Sequence, residues 1–554
     1  MPTATPFTDL SAQLTGRVVT PSDPDWDATR RVFNLATDLR PAAVALPRDV
    51  TDVVAAVEYA GANGLRVAPQ ATGHNADALG SLEDVLLVDV RELQGVSIDR
   101  GARRVRVGAG VKWQRVVPEL SELGLAALHG SSPDVGIAGY SLGGGMGWLA
   151  RKYGLQTNSV TAMELVTADG RPARVDAENE PELFWALRGG NGNFGVITAI
   201  EFAVYPVEDL YAGVMFFPFE RAGEVLHAWN ELLPTLPDEM MTWAKLLQFP
   251  DAPDVPEPVR GGSFTVIFGA FLGSEGEGRA LLRPVRDLRP AMDTLAVVPP
   301  AALGDMAMDP PDPLPFVTTT ALLSDLPSAG VDELVSAAGP GSGSPLAMVE
   351  LRQMGGALAR RSPAAGARAT LPGSVAMLSL GVAEDETSAA TARTYLESVD
   401  RAVLPYRTGH YPNFVMEPTD ASRFFDTDTW ARLRRVKALY DPNDLFKGNH
   451  HIPPRNRTER PPADPASRRG HDAAARPLRQ NDPERLGGQG RGAHSGPTSR
   501  KASVALLPVD ETGAAGSLLL VHRSADRVPP PHSAVRPKQR SRAVDQVPAC
   551  RRKH

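Results

Sequence analysis

Between Gly136 and Gly147 the chain reads GIAGYSLGGGMG, six glycines in twelve positions. No single regular element runs comfortably through that density, because glycine loses the most backbone freedom on ordering and brings no side chain to pack. What such a segment does offer is bare N–H groups that can turn toward one anion, such as a pyrophosphate. Its spacing is neither the G-x-x-x-x-G-K-[ST] phosphate loop nor a clean G-x-G-x-x-G turn between strand and helix. A second glycine-rich stretch, RGGNGNFGVIT from Arg188 to Thr198, points to an extended cofactor that crosses several loops.

Upstream of this run the pattern is strand, helix, strand. AVAL is followed by PRDVTDVVAAVEYAGANG, in which Val50, Val53, Val54, Val57 and Ala60 share a helical face before Gly61 and Gly64 stop it. LRVAPQ is the next strand, and it leads into ATGHNADALG, a turn of small residues around His74. Read alone, His74 is a solvated loop residue or a ligand-facing one, since α/β units place binding loops at such strand ends. DVLLVDV, GVSID and RRVRVGAG read as short strands, VKWQRVVPELSELG and PELFWALRGG as helices. SVTAMELVTADGRPARVD reads as a hairpin and FGVITAIEFAVYPV as a closing strand.

The 554 residues, 42% of them hydrophobic, suffice for a large core and two or more domains. The formal charge of −7 conceals an asymmetry: up to Pro454 there are 38 Lys+Arg against 56 Asp+Glu, and beyond it 20 against 9. An acidic body repels phosphodiester backbones, so nucleic acid is not an expected partner of residues 1–454. The basic segment 455–554 has no aromatic residue and is expected to be disordered. Its Cys550 is the only cysteine, so the body can form neither a disulfide nor a thiolate metal site. His129, His450 and His451 lack carboxylates at ligand spacing, and no metal is expected. With no basic-then-apolar leader and no apolar run of membrane length, a cytoplasmic protein off the membrane is expected.

Four motifs taken together carry a resemblance. GLRVAPQATGHN, SSPDVGIAGYSLGGGMGWLARKYGL, ELFWALRGGNGNFGVIT and YDPNDLFKGNHHIPP are similar, in this order, to the FAD-linked oxidases of the berberine bridge enzyme type, within the vanillyl-alcohol-oxidase-like flavoproteins. The resemblance covers roughly residues 35–454, loosely in the middle. It implies an α+β fold: a two-part FAD-binding domain, 1–207 and 405–454, with an inserted substrate domain, 208–404, built on an antiparallel sheet with helices. Its R-x-G-G-H turn ends in the histidine bonded to the flavin 8α-methyl, which here is His74. Gln70 and Thr72 replace the usual Arg and first Gly, and neither change removes the nucleophilic nitrogen.

The family's second attachment uses the cysteine of C-P-T-V-G, where this chain has Ser132, Pro133, Asp134, Val135 and Gly136. Serine cannot form that thioether, so the resemblance implies FAD held through His74 only. Thr72, Gly73, Asn75, Ser132, Val135, Gly136, Gly139, Tyr140, Gly143, Gly144, Gly145, Gly147, Gly195, Val196, Ile197, Asn413 and Asn449 are the further expected cofactor contacts. A small residue at Val135 favours oxygen access.

Flavin oxidation of a C–H bond needs a base for the neighbouring O–H or N–H proton. The family's two tyrosines are replaced by Met146 and Phe414, which puts the usual proton chemistry in doubt. Tyr411 remains, as a catalytic group or as an aromatic packed on the cofactor domain. In MVELRQMGGALAR, period-2 alternation sets Met348, Glu350 and Arg352 on one strand face. Glu350 is then a candidate base and Arg352 a substrate or charge-stabilising group, unless the two form an internal ion pair. The expected function is hydride removal from a CH–OH or CH–NH centre of a small molecule, with O2 as acceptor. A dehydrogenase using another acceptor and a flavin binder with little turnover are the alternatives, and the oligomeric state is open.

Overall fold

The computed structural model describes residues 7–456 apart from 254 and 311. The basic segment expected to be disordered, with Cys550, lies outside the described residues.

Each short apolar run of the first two hundred residues becomes a strand. Ala43–Leu46, Arg66–Gln70 and Val85–Asp89 form a parallel set, in the order Ala43–Leu46, Val85–Asp89, Arg66–Gln70, and Arg17–Val19 adds an antiparallel edge. The helix Val50–Ala62 is capped by the Asp49 carboxylate, which accepts from the N–H groups of Thr51 and Asp52. Val53, Val57 and Ala60 are buried beneath it as the periodicity requires. Val50, expected on the same face, is 40% exposed, because it stands at the first helical position, before the helix reaches the sheet.

A second, antiparallel sheet runs in the order Val96–Asp99, Arg104–Gly108, Val196–Ala203, Val160–Val166, Pro172–Asp176. The last two are the expected hairpin, and the helices Trp113–Glu122 and Pro181–Leu187 fall where the pattern puts them.

From Leu210 to Gly409 the chain builds one nine-stranded antiparallel sheet. At its centre, Ser263–Phe271, Met240–Gln248, Met348–Gln353, Val375–Val382 and Phe316–Leu323 lie side by side. The helices Ala222–Leu232, Ser328–Ala338 and Glu386–Val403 bury one face of it. Val225, Trp229, Leu334 and Val399 pack there against Val349, Leu351, Val375 and Met377. Alternation therefore commits Met348, Glu350 and Arg352 to the opposite face. Arg407–Gly409 still pairs with this sheet, so the inserted part reaches past the expected boundary at residue 404.

The opposite face meets the first lobe. Trp148, just past the glycine run, stacks on Trp243 of the sheet at 3.5 Å between centroids and 18° between planes. Arg151 donates to the carbonyls of Met240, Leu236 and Met354, stitching the same junction. Beyond Tyr411 the chain packs back on the first lobe. Val67 N–H donates to Leu445 O and Lys447 N–H to Val67 O, both at 2.8 Å, which extends the parallel set by a bridge. No described helix is long and apolar enough to cross a membrane.

Candidate functional site

The strand Arg66–Gln70 delivers His74 to a wall of a cavity of about 460 Å³ between the two lobes. The imidazole lies flat on Phe33, 4.1 Å between centroids and 18° between planes. Its Nδ1 is 2.9 Å from Thr72 Oγ1 and its Nε2 is 3.2 Å from Asp134 Oδ2. Thr72 Oγ1 also accepts from Gly136 N–H at 3.3 Å, which ties the turn to the glycine run. Asn75 donates to Val415 O at 2.8 Å, and Asn449 Nδ2 donates to Asn75 Oδ1 at 3.0 Å, so the returning chain pins the other side. The histidine is thus a half-enclosed, oriented group and not a solvated one.

The glycines of the run divide by task. Gly136 and Gly139 line the cavity, and a Cβ at Gly139 would meet nothing within 4 Å, so the wall at Gly139 is open backbone. Gly143, Gly144, Gly145 and Gly147 stand behind the wall. Asn413 Oδ1 fills the space a Cβ at Gly143 would need, and the carbonyl of His129 does the same at Gly147. At Gly145, with φ of +80°, the Tyr140 ring and Gln156 press in. These four residues let neighbours approach the backbone; the expected cradle of six glycines narrows to two. Gly73, Ser132, Val135, Tyr140, Gly195, Ile197, Asn413 and Asn449 reach the cavity. Val196 does not, since strand alternation turns it into the core.

Tyr411 lines the cavity but is already engaged. Its hydroxyl oxygen accepts from Gly145 N–H at 2.8 Å and Met146 N–H at 3.0 Å. Burial pushes its pKa up to about 12, outweighing the two N–H donors. A phenol held neutral in this way is no base at neutral pH; Tyr411 positions the glycine turn. The Tyr140 hydroxyl donates to Leu128 O at 3.1 Å, and burial likewise holds its pKa well above the usual value.

On the sheet side, Met348 and Arg352 line the cavity, with Glu350 between them as the alternation requires. Cross-strand register adds Lys245, which pairs with Glu350. The Glu350 carboxylate is clasped twice, by Arg352 Nε at one oxygen and by Lys245 Nζ at 2.9 Å at the other. Lys245 also meets Asp309 Oδ1 at 3.3 Å, Asp309 Oδ2 accepts from Ser132 at 2.7 Å, and Arg352 donates to Ser131 at 3.1 Å. The Arg352 guanidinium lies 3.9 Å from the Trp243 ring centroid and 5.0 Å from that of Phe414. Burial works against the Lys245 ammonium, but Glu350 and Asp309 outweigh it and raise its pKa; burial opposes ionisation of Asp309 too, and Lys245 reverses that. Lys245 and Asp309 are therefore held in their charged forms, and Glu350 is taken up in the internal ion pair rather than standing as a free base.

Lys245, Asp309 and Ser131 were not expected from the sequence. Lys245 had a signal, as the lone charge in MMTWAKLLQ at the parity of Trp243 and Leu247. Asp309 and Ser131 sit in loops and had none. His129 and His450 are buried on backbone carbonyls of Gly130 and Pro412, and burial lowers both to about 4. His451 faces Asp444 at 3.1 Å. Among the described residues no group of three or more His, Cys, Asp or Glu is placed to hold a metal.

Residues 41–176 match the profile of an FAD binding domain. Over 232 residues the chain is 36% identical to (R)-6-hydroxynicotine oxidase of Paenarthrobacter nicotinovorans, a match that covers 41% of this chain and half of that protein. An uncharacterized FAD-linked oxidoreductase of Bacillus subtilis is 25% identical over 80% of this chain and 98% of its own. The solved 6-hydroxy-D-nicotine oxidase of Arthrobacter nicotinovorans superposes with a TM-score of 0.69 at 25% identity, over 82% of this chain and all of that one. A berberine-bridge-enzyme-like protein of Physcomitrella patens shares the fold with a TM-score of 0.71 at 21% identity, covering 82% of this chain and all of its own. The chain is an FAD-dependent oxidoreductase, with the fold of the berberine-bridge-enzyme-like FAD-binding proteins.

The cavity suits a flavin by its own lining. It offers open backbone at Gly139 and an oriented imidazole in the same wall. The FAD-linked oxidoreductase departs from the pattern at Ser132, whose hydroxyl is spent on Asp309, and at Met146 and Phe414.

Proposed function

We propose that the chain is an FAD-dependent oxidase that removes a hydride from a CH–OH or CH–NH centre of a small organic molecule and passes the electrons to O2 as hydrogen peroxide. Its flavin is held covalently through His74 alone. The observation that carries this reading is a single cavity with His74, Gly136 and Gly139 on one wall and Met348 and Arg352 on the other. The flavin supplies the hydride acceptor.

The chain's own residues supply position and a dry surround. Gly139 leaves open backbone for phosphate oxygens, and Thr72 and Asp134 orient the imidazole. Ser132 leaves no thiol for a second link. Neither carboxylate on the sheet side is free to accept a proton, and Tyr411 stays a phenol. That favours a substrate such as an amine, which can react as its neutral free base, and the relative named for oxidising a hydroxynicotine takes a molecule of that kind.

Acid precipitation of the purified protein, followed by mass analysis of the His74 peptide, tests the attachment. Yellow supernatant with an unmodified peptide would sink it, and so would flavin mass retained in His74→Ala. Anaerobic mixing with alcohols and amines, then admission of air, tests the reaction. Bleaching with sluggish return of colour would mean a dehydrogenase, and no bleaching by any compound would mean a flavin binder with little turnover.

A further inference from the structure

The part of the cavity that faces the flavin wall from the sheet is almost entirely hydrocarbon. Leu247, Met348, Leu378, Leu380, Val382 and Phe316 come from four adjacent strands and present an apolar floor broken only by Thr318, opposite Leu380. Phe414 and Met416 close it from the returning chain. Of the polar groups that interrupt this surface, the Thr318 hydroxyl stands beside Leu380, and the others are engaged. Gln248 Nε2 donates to Ser344 O at 2.8 Å and Leu346 O at 2.9 Å. Both oxygens of Glu350 are held by Lys245 and Arg352, and both of Asp309 by Lys245 and Ser132.

A sugar ring brings a hydroxyl on nearly every carbon. Burying each without a partner costs roughly 1–3 kcal/mol, and this floor has almost none to give. An ammonium ion fares no better, since each carboxylate oxygen at the wall already faces another donor, and Lys245 and Arg352 repel a third cation. A hydrocarbon body, by contrast, gains from every apolar contact.

We infer that the chamber takes a largely hydrocarbon, preferably ring-bearing alcohol or free-base amine that enters uncharged, and that it rejects oligosaccharides and permanent cations. Arg352, held flat between Trp243 and Phe414, is the polar landmark for the substrate's single hydrogen-bonding group. This inference rests on the flavin reading above for the position of the reacting carbon but not for the chemistry of the floor.

The test is a titration of the purified full chain with benzyl alcohol, benzyltrimethylammonium and cellobiose, read by flavin absorbance and by tryptophan fluorescence, since Trp243 lies beneath Arg352. Benzyl alcohol is expected to perturb both signals with half-saturation at about 1 mM or below. The cation and the disaccharide are expected to leave them unchanged at tenfold higher concentration. Leu380→Asn should weaken benzyl alcohol about tenfold, and Leu380→Ile, which keeps the floor apolar, should not. Cellobiose or the cation acting at the same concentration as benzyl alcohol, or benzyl alcohol without effect, would overturn the inference. A chain without flavin would defeat the reading of function instead, and the tryptophan signal would still decide the chemistry of the floor.

Discussion

Asp134 Oδ2 stands 3.2 Å from His74 Nε2, on the far side of the ring from Thr72. Both partners occupy positions where the chain departs from its relatives' motifs, so each ring nitrogen has gained a neighbour of its own. A carboxylate beside Nε2 favours the tautomer that carries the proton there, which puts the lone pair on Nδ1, where the Thr72 hydroxyl faces it and would have to give way for a bond to carbon. Asp134→Asn is expected to slow covalent attachment by about tenfold or more when flavin-free protein is incubated with FAD. The acid-stable mass on the His74 peptide measures it, and equal rates would remove Asp134 from the attachment.

Two histidines should make the fold acid-sensitive. Burial lowers His129 and His450 to about 4, whereas unfolded histidine titrates near 6.5. Below that value the unfolded chain takes up protons that the folded chain refuses, so the stability each neutral ring contributes is complete above about pH 6.5 and lost as pH falls toward 4. The loss is on the order of 3 kcal/mol per histidine. Urea midpoints across this range should fall steeply, and His450→Gln should flatten the curve.

Removing the Tyr411 hydroxyl strands two buried N–H groups, those of Gly145 and Met146. Tyr411→Phe should cost about 1–3 kcal/mol per stranded group in urea unfolding. Because the phenol takes no proton, the pH dependence of flavin bleaching should keep its shape; an alkaline limb lost in the variant would restore Tyr411 to the proton chemistry.

Lys245 is wholly buried and shared by two carboxylates. Lys245→Met is expected to destabilise the fold by about 3–5 kcal/mol, since it leaves Asp309 without its cation and Glu350 with one of two. Adding Glu350→Leu should then change little, and a double-mutant cycle reads the coupling directly.

The strands and helices of the first lobe were legible because short apolar runs bounded by Gly, Asp and Arg leave few alternatives. Val50 missed only because a helix has a beginning. On the sheet, the face of Met348, Glu350 and Arg352 followed from alternation, but what Glu350 does there depends on Lys245, which register brings opposite from far upstream. Pairing between distant strands is not written in either strand alone. The glycine run was visible as a site, yet composition does not distinguish a glycine whose backbone lies open on the cavity, as that of Gly139 does, from one that makes room for Asn413, as Gly143 does.

The stacked indoles of Trp148 and Trp243 belong one to each lobe. Two such chromophores face to face mix their excited states, and the result is a paired positive and negative band in circular dichroism that neither would give alone. The joint between the lobes thus carries its own optical tag. Without any label, that couplet would report the moment at which the glycine turn and the sheet part company.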